Sequence, residues 1–279
     1  MEMATLWKKR LHKGFIYLLV LVITVITFGP FLFTLSTSFK PPADAFEWPP
    51  RLIPRRVTLE NYQAVFRITP YFSRWVINSI IIAGCVVVGR LFACSLAGYA
   101  FARLDFPGKE LLFVIMLGSM MIPGQVLMVP HYLIMSKLRW LDTYYALIVP
   151  GIASAFGIFL MTQFLRSIPR DLEEAALLDG CSLLRIYWHV ILPLSKPALA
   201  TLAIFAFTSS WHDFMSPLIY LNSVEKFTLT LGLNFFRGQY VDWWTYILAG
   251  AMFANIFPLA IFLAFQRHFV EGVRLTGIK

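Results

Sequence analysis

Charged residues are scarce in this sequence of 279 residues. Asp, Glu, Lys and Arg make up 14% of it, whereas apolar residues make up 58%, and the mean hydropathy is +0.70. Ordinary soluble domains carry about 25% charged residues. The composition therefore excludes a water-soluble globular protein and predicts a protein that resides in a lipid bilayer.

Cysteines and common catalytic motifs are also sparse. The three cysteines, Cys85, Cys94 and Cys181, have neither a paired nor a metal-ligand spacing, so we interpret them as small packing residues and expect no metal site. The five histidines are scattered, and neither HExxH nor Gly-x-Ser-x-Gly occurs. The sequence therefore indicates a protein that is not an enzyme.

A phosphate-binding loop is missing as well. The pattern Gly-x-x-x-x-Gly-Lys-[Ser/Thr] does not occur, and the one Gly-Lys pair, Gly108-Lys109, is followed by Glu110 and lacks the upstream glycine. We expect no cofactor to be bound by this chain. If ATP drives its activity, the energy must arrive through contact with another chain.

Six long apolar stretches are present, and a membrane-spanning helix needs about 20 such residues. We place the stretches at about 14–35, 76–98, 111–133, 142–165, 198–221 and 245–266. The predicted fold class is all-α, a polytopic membrane protein with six transmembrane helices. Residues 1–75 would form the first helix and an extracytoplasmic loop, 76–266 a core of five helices, and 267–279 a cytoplasmic tail. The first stretch is too long for a signal peptide, so we expect it to be retained.

The distribution of cations predicts the orientation. The net charge is +9, yet no basic run with interleaved aromatic residues suggests nucleic acid, and contact with membrane lipid explains the charge more simply. Four cations precede the first stretch: Lys8, Lys9, Arg10 and Lys13. Cytoplasmic loops are enriched in Lys and Arg, so both termini are predicted to be cytoplasmic. The connection after the first stretch contains Pro41-Pro42 and Pro49-Pro50, so it cannot be one helix, and we expect an external cap.

The connection at 166–197 has the pattern of two short helices. Pro169 and the acidic residues Asp171, Glu173 and Glu174 predict a helix from about 169 to 179. Gly180 would allow a sharp turn, Ser182 would cap a second helix, and Pro193 and Pro197 would end that helix. Periodicity alone leaves an alternative open, which is an amphipathic interfacial helix without a protein partner.

The same connection carries a motif. Glu174-Ala175-Ala176, Gly180 after three residues, and Val190-Ile191-Leu192-Pro193 after nine more resemble the cytoplasmic coupling loop of ABC importer permeases, with Val190 in place of the usual isoleucine. The resemblance implies the type I ABC importer transmembrane fold and a loop that docks into a groove on an ATPase subunit. The residues that it assigns to coupling are Glu174, Ala175, Ala176, Asp179, Gly180, Leu192 and Pro193.

A second signature narrows the family. Ser210-Trp211-His212-Asp213-Phe214 followed by Pro217-Leu218-Ile219 resembles the fifth span of MalG-like second permeases of carbohydrate importers, with His212 in place of the usual asparagine. The resemblance extends to Asn78-Ser79, to 97–103, and to Gln266-Arg267 with Gly272. It implies a homologous MalF-like permease, two ATPase subunits that use ATP and Mg²⁺, an extracytoplasmic solute-binding protein, and a bacterial or archaeal cytoplasmic membrane.

Polar residues within the spans are the remaining candidates, because ionisable groups in a membrane are costly. For Arg90 and Asp213 we favour structural contacts between spans over contacts with sugar. Candidates for lining a translocation path are Asn78, Trp211, Asp213 and Asn255. Aromatic residues could stack on sugars, but interfacial belts are commoner. Pro123-Gly124 and Pro150-Gly151 are interpreted as simple kinks.

Two other classes of function are alternatives, and the sequence disfavours both. A self-sufficient secondary transporter or channel for a small polar solute would need its own ion-binding or pore-lining residues, and the few charges within the spans disfavour it. A membrane-embedded enzyme would need a clustered nucleophile, base or metal set. Neither the sugar nor the chain that contacts it follows from the sequence.

Overall fold

The protein is described by a computed structural model, which covers the backbone of residues 2–237 and 243–277 and the side chains of residues 12–237 and 243–264. Its fold is all-α, as predicted. The α-helices are α1 (Glu2–Ser38), α2 (Glu60–Ile68), α3 (Phe72–Arg103), α4 (Lys109–Ser119), α5 (Met128–Lys137), α6 (Tyr145–Ile152), α7 (Ala155–Arg166), α8 (Asp171–Leu178), α9 (Leu183–Ile186), α10 (Leu192–Leu194), α11 (Lys196–Trp211), α12 (Met215–Tyr220), α13 (Leu229–Leu233) and α14 (Trp244–Gly277).

The chain forms two compact units, of which one contains residues 1–70 and 233–253. Its α1 is strongly apolar over His12–Ser38, and its most apolar window buries no residue within the chain, which suits lipid contact. The proline-rich segment after α1 is held by the fully buried Asn61, whose amide donates to the carbonyl oxygens of Ser38 (2.8 Å) and Lys40 (2.7 Å). The predicted absence of one continuous helix there agrees with the structure, in which 39–59 contains only a short 3-10 turn.

The second unit contains residues 71–232 and 254–279 and is organised around α3. This helix of 32 residues packs against α6, α7 and α11. Close approach of α3 and α7 depends on Gly98, where an added Cβ would lie 2.6 Å from Cβ of Met161 and 3.1 Å from the backbone nitrogen of Thr162. Small residues at such points allow membrane helices to pack tightly.

Three of the predicted core spans are interrupted. The third consists of α4 and α5, which meet at a bend of 94°. The fourth pauses at Ala153 and Ser154, where the Ser154 hydroxyl caps α7 by accepting from the amide of Gly157. The fifth stops at Trp211 and resumes as α12 at Met215. The interpretation of Pro123 and Pro150 as simple kinks is therefore wrong for the third span, where the helix ends before Pro123.

The two ends of α3 show how the spans cross. Near its beginning, Trp75 Nε1 donates to the carbonyl oxygen of Val224 (2.7 Å), and Asp142 bonds to the same 221–228 connection. At its other end, Arg103 donates to the carbonyl oxygen of Ile168 (2.6 Å). The α4–α5 pair starts beside the end of α3 and finishes near its beginning, so it crosses as one broken span. Among the described residues, four helices are long and apolar enough to span a membrane. Two bent pairs would each add one more if counted as a single span, namely Lys109–Ser119 with Gly124–Lys137 and Leu183–Leu194 with Lys196–Trp211.

The last helix continues beyond the predicted end of the sixth span. We placed that end at 266, with a tail over 267–279, whereas α14 runs without interruption to Gly277. The final two residues, 278 and 279, lie outside the described residues, as do the side chains of Gln266 and Arg267, and only the backbone of Gly272 is described.

Candidate coupling loop and polar contacts of the spans

The 166–197 connection forms a compact surface of short helices. The predicted helix at 169–179 is α8, Asp171–Leu178, and Gly180 follows it in the left-handed region at φ +79°. Non-glycine residues rarely adopt this conformation, which explains the glycine. Ser182 caps α9 as predicted, through a bond from the amide of Arg185. The helical run that begins with α9 continues through a π-helical turn at Tyr187–Ile191 into α10 and ends at Leu194, one residue after Pro193, close to the predicted end. Pro197 lies instead in the first turn of α11, where its missing N–H costs nothing.

The outward face of this connection is largely apolar and carries charges of both signs. Glu174, Ala175, Asp179, Gly180 and Pro193, all assigned to coupling from the motif, are exposed. Ala176 and Leu192 are half-buried and pack against the core. Six leucines add exposed apolar surface beside them: Leu172, Leu177, Leu178, Leu183, Leu184 and Leu194. A surface of this kind marks an interaction site more often than a solvated loop.

The second half of the connection is anchored in the core. Ile186, Tyr187 and Ile191 are each 1% exposed. The Tyr187 hydroxyl lies 2.7 Å from the Ser95 hydroxyl of α3, and its ring centroid lies 5.4 Å from that of Tyr99. Nothing in the sequence pointed to Ser95 as a partner of this connection, because Ser95 lies 92 positions before Tyr187.

The first half of the connection is anchored by charge. Arg103, the last residue of α3, brings Nε to 2.6 Å from Oε1 of Glu173 in α8. The Arg103 side chain is 5% exposed and the Glu173 side chain 12% exposed. The contact is an ion pair without hydrogen-bond geometry, because the Nε–H of Arg103 does not point at the Glu173 oxygen. Burial raises the pKa of the Glu173 carboxyl, an effect that Arg103 and Arg170 oppose. The sequence suggested each residue separately, but it could not pair them.

The candidate path residues make structural contacts, and two of them, Trp211 and Asn255, are brought close together because Trp211 bonds to the residue before Asn255. Asn78 donates to the carbonyl oxygens of Glu225 (3.0 Å) and Phe227 (2.9 Å). The buried Trp211 donates to that of Ala254 (3.0 Å), and Asp213 accepts from the amide of Ser216 (3.1 Å). Asn255 is half-buried in α14. These contacts fix helix ends and join spans, and a role in solute passage stays a prediction.

Arg90 satisfies the broken end of α6. Its Nε and Nη2 donate to the carbonyl oxygen of Gly151 at 2.8 and 2.6 Å, and Nη1 donates to the Ser209 hydroxyl at 3.2 Å. A carbonyl freed by a helix break must find a donor within a membrane. The expectation that Arg90 makes structural contacts between spans is confirmed, because it joins α3, α6 and α11. Asp213 instead caps its own α12.

Asp142 organises a connection that the sequence did not single out. It precedes α6 and adopts φ +56°. Its carboxylate accepts bonds from the amides of Asn222 (3.0 Å) and Ser223 (2.9 Å), from the Ser223 hydroxyl (2.6 Å), and from Nζ of Lys226 (2.8 Å). Desolvation alone would raise the pKa of Asp142, but these bonds together outweigh it and hold that pKa well below its usual range.

Replacing Asp142 with asparagine should reduce the free energy of unfolding at neutral pH by about 2 kcal/mol, the range of a hydrogen bond to a charged group. A lowered pKa contributes stability above the unfolded-state pKa, and that stability is lost as pH falls through the folded-state value. The difference from the unsubstituted protein should therefore shrink as pH is lowered below about 4. Thermal unfolding in detergent at several pH values measures it. The Asp105→Asn control, at a side chain 92% exposed, should change nothing.

Metal ligation finds no support in the described part of the chain. Its His, Cys, Asp and Glu side chains form no group of three that could hold a metal ion. The polar groups that do cluster, such as Asp142 with Ser223 and Lys226, are satisfied by hydrogen bonds to one another.

Comparison with known proteins gives a consistent result. The family model described as "Binding-protein-dependent transport system inner membrane component" matches residues 66–275. The arabinooligosaccharides transport system permease protein AraQ of Halalkalibacterium halodurans is 34% identical over 259 residues, covering 92% of this chain and 93% of that protein. The trehalose/maltose transport system permease protein MalG of Thermococcus litoralis is 31% identical, covering 93% and 94%.

A solved structure is similar in fold. One chain of a bacterial ABC transporter involved in the import of the acidic polysaccharide alginate superposes with a TM-score of 0.85 at 24% identity. The match covers 94% of this chain and 98% of that chain. At this identity the likeness concerns the fold, and it agrees with the six-span arrangement described above.

Proposed function

Because the chain belongs to the family of inner membrane components of binding-protein-dependent transport systems, we propose that it is the permease subunit of an ABC importer for a sugar or sugar-like solute. It is a non-catalytic membrane component, and partner ATPases would drive alternating access. One observation carries the proposal: the 166–197 connection presents an exposed apolar face that includes the Glu174 carboxylate, while Tyr187 anchors its other side in the core.

The carbohydrate class is supported by the relatives. AraQ is named for arabinooligosaccharides and MalG for trehalose and maltose. The solved relative imports alginate, an acidic polysaccharide. These solutes differ in size and charge but share a hydroxyl-rich sugar ring, so a carbohydrate is the narrowest common class.

The partners follow from the importer architecture. We propose a homologous MalF-like permease, two ATPase subunits that bind ATP and Mg²⁺, and a solute-binding protein on the outer side. The 166–197 connection would face the cytoplasm, where the ATPases reside. The fifth span, α11 with α12, separates it from the 221–228 connection, which would therefore lie on the outer side of the membrane. Both termini would then be cytoplasmic.

In the proposed mechanism, α8 and α9 lie in a groove of an ATPase subunit. The exposed leucines would be removed from water there, and Glu174 would offer a carboxylate to a cation of the partner. Closure of the ATPase dimer would push this surface, and the anchored side would pass the displacement to α3.

The proposal predicts a strong effect of Glu174→Lys. Charge reversal at the docking face should lower ATP-dependent uptake by about tenfold or more and weaken co-purification of the ATPase, because a like-charge contact costs several kcal/mol. Uptake of labelled oligosaccharides by proteoliposomes, together with pull-down of the ATPase, measures both.

The matched control is Glu110→Lys, at an exposed position of α4 near the same end of α3. It should leave uptake and assembly unchanged. Normal uptake with normal assembly in the Glu174→Lys variant would remove the coupling role. Uptake by this chain alone, without ATPase, would instead establish a secondary transporter.

A further inference from the structure

The 166–197 connection rests on α3 through two different kinds of contact. Tyr187 fixes the second half by burial and by its hydroxyl contact to Ser95. The first half, α8, buries none of its eight residues. Glu173 and Ala176 are its two half-buried positions, and at i and i+3 they lie on one face of the helix. The seating of α8 therefore depends on very few side chains.

Arg103 holds both sides of the entry to α8. Its Nη2 donates to the carbonyl oxygen of Ile168 at 2.6 Å, and its Nε lies 2.6 Å from the Glu173 carboxylate. The two side chains are 5% and 12% exposed, so water screens their attraction little. Removing one partner would leave the other buried charge with weaker compensation, Arg103 with the Ile168 carbonyl and Glu173 with the more distant Arg170. The ion pair thus restricts α8 far more than an exposed pair could.

The helix that carries Arg103 is suited to transmit force. Within residues 71–232, α3 has 32 residues without a break, and the next longest helix, α11, has 16. Near the far end of α3, Trp75 and Asn78 donate to the carbonyl oxygens of Val224 and Glu225, and Ser79 accepts from the amide of Leu229. At 1.5 Å per residue, about 40 Å separate Arg103 from these contacts.

We propose that Arg103 and Glu173 are positioning residues that make α8 and α3 move as one body, so that displacement of the coupling surface reaches the 221–228 connection. In this role they would act through α8 and α3 and not through contact with nucleotide or solute. The inference rests on the proposed importer function. It identifies the Arg103–Glu173 ion pair as the contact through which movement of α8 is passed to α3. Tyr187 alone would leave α8 free to pivot about Gly180, whose Cα has no side chain to restrict the turn.

The test measures coupling in the complete reconstituted transporter. Glu173→Gln should preserve ATPase assembly and ATP hydrolysis but lower the ratio of solute imported to ATP hydrolysed by about tenfold, because the 1.4 kcal/mol that this factor represents is well within the range of a buried pair. The exchange Arg103→Glu with Glu173→Arg should restore part of that ratio, since it rebuilds the ion pair but not the bond to Ile168. A residue with only a structural role would change assembly rather than this ratio.

A distance measurement by spin labelling tests the same proposal in variants whose transport is too weak to give a reliable ratio of solute to ATP. Spin labels at Leu178 and Asp105, in a background whose three native cysteines are replaced by serine, report the distance between α8 and the end of α3. The distribution should be narrow, and unchanged by nucleotide, in the parent protein, and it should broaden with Glu173→Gln. An unchanged distribution or an unchanged transport ratio would overturn the proposal.

The matched control is Glu174→Gln, one residue further along α8 and exposed. It should leave the label distance unchanged and affect ATPase association instead. Failure of the importer function itself would appear differently, as an absence of ATPase binding and of ATP-dependent uptake in the unsubstituted protein.

Discussion

Replacing Gly98 with alanine should destabilise the protein by about 3 kcal/mol, at the upper end of the cost of overpacking a core. The added Cβ would lie 2.6 Å from Cβ of Met161 and within 3.2 Å of two backbone atoms of α7. Backbone atoms cannot rotate away as a flexible side chain can, so α3 and α7 must separate. The gain of about 1 kcal/mol in helix propensity from glycine to alanine cannot offset this.

The control for Gly98 lies in the same helix. An added Cβ at Gly84 would meet nothing within 4 Å, so Gly84→Ala should leave stability unchanged or raise it by up to about 1 kcal/mol. Gly89→Ala should fall between the two, because its neighbour is the movable side chain of Ile152 at 2.6 Å. Thermal unfolding in detergent orders the three variants. Equal stability of the Gly98 and Gly84 variants would show that α3 and α7 are not in close contact.

The spans were predictable because the membrane imposes one simple requirement. A stretch with enough apolar residues must form a helix to satisfy its backbone, so the predicted second span at 76–98 lies within α3, Phe72–Arg103. The turn at Gly180 was equally readable, since a glycine between two helical patterns indicates a left-handed residue. Both signals are local in sequence.

The helix breaks were not predictable, because their stability depends on distant residues. The end of α6 is tolerable because Arg90, about 60 positions earlier, donates to Gly151. The left-handed conformation of Asp142 is fixed by bonds to residues about 80 positions later. The mean hydropathy of a stretch of sequence carries no information about such distant partners. Likewise, the pairing of Arg103 with Glu173 follows from the fold and not from any spacing.

Replacing Arg90 with methionine should reduce transport on the order of tenfold, a factor that corresponds to about 1.4 kcal/mol. The substitution has two opposed effects on stability. An unsatisfied Gly151 carbonyl costs roughly 1–3 kcal/mol, whereas removing a cation from the middle of a span returns about 2.5–3.5 kcal/mol. Because these contributions nearly cancel, the melting temperature should change little. Transport should fall nonetheless, because α6 is no longer tied to α3 and α11.

Two further variants separate the contacts of Arg90. Ser209→Ala removes only the bond from Nη1, which is the longest of the three at 3.2 Å, so uptake should fall by less than about twofold. Arg90→Lys keeps the charge but cannot direct two N–H groups at one carbonyl oxygen, and it should give intermediate uptake. If methionine at 90 lowered the melting temperature and uptake in proportion, Arg90 would serve stability alone. Loss of uptake at an unchanged melting temperature would instead show that Arg90 serves transport. Despite the cost of a cation within the membrane, it would keep the broken α6 aligned with α3 and α11 during transport.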